Sequence, residues 1–130
     1  MADRNVGDQV PELRVTPDKY LPHRYAGASG DFNPIHIDDE FAKAVGLPRN
    51  ILHGLYSMGL VAKANTALAG GDPRALKRLS VQFRGMGMPE QVIVVTGSVK
   101  AVEGNRVTVD TVASQGDNAI IKNAEAEIEL

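Results

Sequence analysis

Two changes of rhythm along the chain predict an α+β fold in which one antiparallel sheet wraps a long central helix. Residues 51 to 69 are apolar or small on nearly every face, a pattern that a half-exposed helix would not tolerate. From Ala75 onward the period falls to two, and turn signals at Glu103-Gly104-Asn105 and Gly116-Asp117-Asn118 separate the runs at hairpin distance. A chain of 130 residues has room for one core, so helix and sheet must share it and residues 1–130 form one domain.

The elements follow in chain order. Gly7-Asp8 signals a turn, and Leu13 and Val15 belong to a short extended piece ended by Pro17. Thr16-Pro17-Asp18 reads as N-cap, N1 and N2 of a first helix reaching about Ala26, with Tyr20, Leu21 and Tyr25 as its apolar side and a kink or restart at Pro22. Gly27, Ser29 and Gly30 break that helix, and the chain to Pro34 is loop by composition. Asp38 or Asp39 caps a second short helix whose Phe41, Ala42 and Val45 face inward, stopped by Gly46 and Pro48. The central helix starts at Ile51 and ends at Gly70-Gly71; Gly59, Ala62, Ala64 and Ala67 are small enough to let a sheet come close. Then Leu79, Val81 and Phe83 alternate with Ser80, Gln82 and Arg84, Val92 to Val102 is rich in valine, and Val107 and Val109 alternate with Thr108 and Asp110. In the last strand Ala124, Ala126, Ile128 and Leu130 alternate with Asn123, Glu125, Glu127 and Glu129, so the glutamates form its wet face. Joined by hairpins, these strands make an antiparallel meander.

Composition removes several function classes. With 14 basic against 16 acidic residues spread along the chain, no basic stripe exists to neutralise a phosphate backbone, so nucleic acid is not an expected partner. The absence of cysteine excludes disulfides, thiolate metal sites and a cysteine nucleophile, and fits a reducing cytoplasm. Met1 to Val10 is polar, without the apolar stretch of a signal peptide. The longest apolar run, Ile51 to Ala62, is interrupted by His53 and Ser57 and falls short of the ~20 residues of a membrane span. The expectation is a cytoplasmic protein with no membrane partner.

Chemistry concentrates in Ser29-Gly30-Asp31-Phe32-Asn33-Pro34-Ile35-His36, which puts a carboxylate, a carboxamide and an imidazole into one short segment. Asp31 and His36 can converge there because Pro34 fixes one dihedral and Gly30 relaxes another. A carboxylate beside an imidazole is a common base and acid pair near neutral pH. The competing reading is a plain turn, with Asp31 closing an Asx-turn and His36 a structural hydrogen-bonder. His53-Gly54 adds a second feature: a helix N-terminus whose free N–H groups can meet an oxyanion or a thioester carbonyl, unobstructed by a side chain at Gly54. Base, acid and oxyanion donor are the parts of proton chemistry alpha to a carbonyl. His23, His36 and His53 are too dispersed in sequence to form a local metal pair, so no metal is expected. His23 reads as a surface or capping residue.

Tyr25 to Leu60, YAGASGDFNPIHIDDEFAKAVGLPRNILHGLYSMGL, resembles the signature of the MaoC-like family, (R)-specific enoyl-thioester hydratases and dehydratases of the hot-dog fold. The likeness rests on Ser29-Gly30-Asp31-x-Asn33-Pro34-x-His36, the spacing to Gly46 and the His53-Gly54 pair. It is also similar to short β-hydroxyacyl-ACP dehydratase subunits of actinobacterial fatty-acid elongation systems. The resemblance implies that Asp31 and His36 are the catalytic pair holding a water, that Asn33 positions the site, and that the Gly54 N–H polarises the thioester carbonyl. His53 is then structural. Some short relatives carry Ser eight residues beyond the Gly54 position, where this chain has Ala62. Leu55, Tyr56 and Met58 are candidates to line an acyl tunnel or else plain core, and Arg84, with Lys77 and Arg78, could meet the phosphates of CoA or of a carrier protein's phosphopantetheine.

The implied reaction is reversible hydration of a trans-2-enoyl thioester, on CoA or ACP, to the (3R)-hydroxyacyl thioester, with no metal or redox cofactor. The alternatives are a partner-dependent or non-catalytic subunit of a heterodimeric dehydratase, and a hot-dog thioesterase. One sheet leaves an open strand edge and half a tunnel, so a homodimer or a heterodimer with another hot-dog chain is expected.

Overall fold

The computed structural model describes residues 4–130; Met1, Ala2 and Asp3, where the polar lead-in begins, lie outside the described residues. A short strand β1 (Leu13–Val15) leads into three short helices, α1 (Leu21–Ser29), α2 (Pro34–Ile37) and α3 (Asp39–Ala44). The long helix α4 (Gly54–Thr66) follows, and then strands β2 (Leu76–Phe83), β3 (Ile93–Glu103), β4 (Arg106–Gln115) and β5 (Asn118–Glu129). All five strands form one sheet in the order β1-β3-β4-β5-β2, each pair antiparallel.

The sheet curls around α4. Val61 and Ala64 from the helix meet Ile93, Val95, Val107, Val109, Ala126 and Ile128 in one core, with Leu52, Leu60 and Leu68 beside them. One polar link crosses that core: the Asn65 amide donates to the Val61 carbonyl and to Thr111 Oγ1 at 3.0 Å, so helix and β4 are pinned in a single register. On the outer face the glutamates of β5 are wet but partnered, Glu125 with Lys100 and Arg78, Glu129 with Arg106. Among the described residues no helix is long and apolar enough to cross a membrane.

Several expectations need correction. The last three strands form the meander, but β2 pairs with β5 and not with its sequence neighbour β3, because residues 84 to 92 carry the chain across the sheet. Helix α1 starts at Leu21, not at Pro17: Asp18 is used in a turn, accepting from the Tyr20 N–H, while Pro17 is buried and its carbonyl accepts from Glu90. Pro22 therefore falls in the first turn, where its missing N–H costs no helical bond, and no kink is needed. Gly27 and Ser29 are helical, and the helix ends only at Gly30, whose φ of 81° closes the C-cap. Its buried side is Pro22 and Ala26, with Tyr20 exposed.

In α3 only Ala42 is buried; Phe41 and Val45 face outward, since six residues give one inward turn. Helix α4 begins at Gly54, with Ile51 to His53 extended before it, and a 3-10 turn Ala67–Ala69 continues it. It is not buried all round: Leu55, Gly59 and Ala67 are exposed, and of the four small residues only Ala64 is fully covered by the sheet. The alternation of β5 holds from Ala124 onward, but Asn123, at φ 51°, sits at a shift of register and leaves both Ile120 and Ile121 buried. Phe83, expected inside, is 54% exposed at the end of β2.

Candidate active site

The site is built where α1, α2 and the start of α4 converge. Gly30 ends α1 and turns the chain, after which Asp31 Oδ1 accepts from the Asn33 N–H and Asn33 Oδ1 accepts from the Ile35 N–H. Asn33 is thereby the N-cap of α2, with Pro34 at the first helical position. That single turn, which the sequence reads as loop, aims His36 inward. The Asx-turn reading of Asp31 is therefore correct as geometry, and it leaves the second carboxylate oxygen free: Asp31 Oδ2 lies 3.9 Å from His36 Nε2.

The two partners differ in environment. The His36 side chain is 10% exposed and that of Asp31 is 53% exposed. His36 Nδ1 lies 2.9 Å from the Ile51 carbonyl, which can only accept, so Nδ1 carries a hydrogen in either charge state of the ring and Nε2 is the nitrogen that faces Asp31. At 3.9 Å, Oδ2 and Nε2 are too far apart for a direct bond and well placed to share a partner; a water about 2.8 Å from each fits between them. The anchor is reinforced by buried Asn50, whose amide donates to the His36 carbonyl at 2.9 Å. Sequence reading missed Asn50; a lone amide beside the apolar Ile51-Leu52 was its signal.

His53 is brought against the pair. Its ring stacks on His36 with centroids 3.9 Å apart and 20° between planes, and its Nε2 lies 2.9 Å from the Asp31 carbonyl. Tyr25 packs on the same ring at 4.7 Å and meets Tyr56 edge-on at 5.8 Å. Burial, and then the Asp18 charge, push the Tyr56 phenol above its usual value, so it stays neutral.

The histidines are thus not dispersed in space as their sequence spacing suggests. Asp31, His36 and His53 offer ligand atoms within 4.8 Å of one another. They do not aim them together, however. Imidazole lone pairs lie in the ring plane, and two rings stacked at 20° do not direct theirs to one point, as a metal centre requires. His23 is exposed as expected, its Nε2 bonded to the Ile37 carbonyl.

Gly54 opens α4. Its N–H and that of Leu55 have no acceptor within the helix, and His53 makes no side-chain cap. A Cβ at Gly54 would lie 3.1 Å from Phe83 Cε1, so the glycine accommodates the Phe83 ring as well as any ligand. Phe83 was not anticipated here, because only the crossing of β2 to β5 delivers it. Of the other residues proposed from sequence, Leu55 is 62% exposed beside Gly54, Tyr56 and Met58 are half-buried against the core, and Ala62 is half-buried on α4. Arg84 is exposed next to Phe83, its guanidinium bonded to Gln82; Arg78 is committed to Glu125, and Lys77 is exposed. Phe32, Leu55, Phe83 and Met86 are all exposed apolar side chains.

Residues 4–121 match the MaoC like domain family. The chain is 36% identical over 113 residues to "Enoyl-CoA hydratase 2, peroxisomal" of Arabidopsis thaliana, covering 86% of this chain and 35% of that protein. Among solved structures, a "MaoC-like dehydratase" superimposes with a TM-score of 0.92 at 31% identity, over 98% of this chain and 41% of that one. The ChsH1-ChsH2 complex of Mycobacterium tuberculosis superimposes with a TM-score of 0.86 at 25% identity, over 97% of this chain and 98% of the matched chain. The chain therefore spans well under half the length of the first two of these relatives and nearly the whole of the third.

Proposed function

Because the chain belongs to the MaoC-like dehydratase family, with its hot-dog fold, we propose that it is a hydro-lyase adding water across the double bond of trans-2-enoyl thioesters to give (3R)-hydroxyacyl thioesters, and catalysing the reverse dehydration. The observation that carries the reading is the 3.9 Å gap between Asp31 Oδ2 and His36 Nε2, two groups facing a space that fits one water. In hydration Asp31 takes a proton from that water as its oxygen bonds Cβ, and His36, entering with Nε2 protonated as well as Nδ1, gives the Nε2 proton to Cα; the proton left on Asp31 returns to Nε2 across the gap and resets the pair. The Ile51 carbonyl holds Nδ1–H in both charge states of the ring, so the proton moves without the ring turning. The Gly54 N–H donates to the thioester oxygen as charge builds on it, and the Asn33 backbone N–H holds Asp31 Oδ1 in place. No metal or redox cofactor is needed; the acyl group arrives on CoA or on the phosphopantetheine of a carrier protein, and Arg84, exposed and next to Phe83 in the chain, is the cation we assign to its phosphates.

A specific observation also favours a two-chain enzyme. Asp31, Phe32, Leu55 and Phe83 are all more than half exposed, so this chain alone leaves the water and the acyl chain open to solvent. The chain has the length of one hot dog, like the chain it matches in the ChsH1-ChsH2 complex, and spans 35% of its longer plant relative. We read it as the half that carries the acid-base pair, joined to a second copy or to a companion hot-dog chain.

The test follows loss of the conjugated enoyl absorbance with crotonyl-CoA and a longer enoyl-CoA. It is run on the purified chain and on the chain co-purified with a companion encoded nearby, using wild type, Asp31→Asn and His36→Ala. Loss of activity in both variants, with (3R)-hydroxyacyl product from wild type, is expected. Wild-type rates in both variants refute the assignment, and CoA release without hydroxyacyl product makes the protein a thioesterase instead.

A further inference from the structure

We propose that His53 is a positioning residue for this chemistry, setting the separation of Asp31 and His36 by holding one through a hydrogen bond and the other through a ring face; the inference rests on the hydratase reading above. Its ring is 2% exposed and does not cap α4, the ordinary use of a polar side chain at that position. Instead Nε2 reaches the backbone carbonyl of Asp31 at 2.9 Å, although Asp31 and His53 lie in different segments joined only by tertiary structure. The carbonyl accepts, so Nε2 carries the hydrogen and the neutral ring leaves Nδ1 bare. That Nδ1 is buried and has no partner among the described residues, so the ring is oriented by its bond to Asp31 at the expense of its other nitrogen.

The same ring lies face to face with His36, 3.9 Å away. His36 donates from Nδ1 to Ile51, whereas His53 donates from Nε2 to Asp31, so the stacked rings are anchored through opposite nitrogens. Asp31 follows α1 and His36 sits on α2; local turn bonds join their backbones, and the His53 side chain touches both the Asp31 carbonyl and the His36 ring. Because His53 directly precedes Gly54, the same residue also references the pair to the free N–H groups at the start of α4. A plain core histidine would fill space; this one links three parts of the site.

The experiment uses the assembled, active enzyme. His53→Phe keeps an aromatic face for His36 and removes the N–H to Asp31, while His53→Gln keeps an N–H donor of similar reach. The expected result for His53→Phe is a kcat at least about tenfold below wild type with KM within about threefold, since a displaced pair slows the chemical step more than binding. His53→Gln should recover part of that kcat. Imidazole ¹⁵N spectra of the wild-type protein should show His53 protonated on Nε2 and His36 on Nδ1, a readout independent of turnover and of whether the variants fold. A kcat for His53→Phe within twofold of wild type, a glutamine variant no better than phenylalanine, or His53 in the Nδ1–H form overturns the proposal. Asp31→Asn run alongside separates the two readings: if it too retains activity, the hydratase assignment has failed, and if it alone is inactive, only the role of His53 has failed.

Discussion

If Asp31 and His36 act on one shared water, their mutational effects must not multiply. The gap of 3.9 Å admits a single water bonded to both, and each group moves a proton to or from that molecule or its product. A positioned acid or base contributes about 10²–10⁴-fold, so Asp31→Asn or His36→Ala should each cost roughly 10³, or about 4 kcal/mol of barrier. Independent groups would then lose about 10⁶ together. A shared water predicts that the double variant loses no more than about tenfold beyond the worse single one, a coupling of about 3 kcal/mol. Fold integrity is checkable in the same set. Asp31 is 53% exposed and its amide still accepts the Asn33 N–H, so Asp31→Asn should change stability by no more than about 0.5 kcal/mol. His36→Ala removes the bond to Ile51 and empties the face of His53, and should cost about 1–3 kcal/mol. The assay is enoyl-CoA hydration at saturating substrate, with thermal unfolding by circular dichroism on each variant. Multiplicative losses, or a single variant within tenfold of wild type, would refute the shared water.

Four further outcomes follow from the fold. Thr111→Val keeps side-chain shape but takes the hydroxyl from Asn65, and should lower Tm by roughly 4–8 °C, about 1–2 kcal/mol, by calorimetry. Alanine at Gly97 would bring Cβ within 2.5 Å of the Asp110 carbonyl oxygen, costing about 2 kcal/mol or more in denaturant unfolding, whereas Gly59→Ala meets nothing within 4 Å and should gain up to about 1 kcal/mol. Hydrogen bonds from Lys100 first, and then Arg78, hold the Glu125 carboxyl below the usual glutamate value. Its stabilisation is present above the unfolded value and lost as pH falls through the lowered folded one. Glu125→Gln should therefore lower Tm near neutral pH in dilute buffer, with the difference shrinking in acid and at roughly 1 M salt; a difference that persists in acid contradicts the ion-pair account.

The sequence made the site's components legible and its geometry partly so. Asp31, Asn33 and His36 stand within one tight segment, and Asn33-Pro34 carries its own N-cap signal, so their convergence is local chemistry. The Gly54 helix start is legible for the same reason. Phe83 at Gly54 and His53 on His36 were not, because both depend on contacts between segments far apart in the chain. The alternation of β5 announced its buried face from Ala124, yet nothing local says that β2 crosses to β5. Gly59 and Ala67 misled, since a small residue reads the same whether a sheet or solvent lies over it.

That crossing governs how the molecule must be made. Phe83 meets Ile121 and Leu76 meets Ile128, so β2 finds its place only after the whole of β3 and β4 has been made and β5 has followed. Contacts of such sequence separation form late, since loop closure precedes their reward. Until they form, β5 presents a bare edge and Gly54 lacks its aromatic cover. The chemistry of the Asp31–His36 segment therefore waits on β5, far along the chain, and a nascent chain halted before Asn118 would carry Asp31 and His36 without a finished site around them.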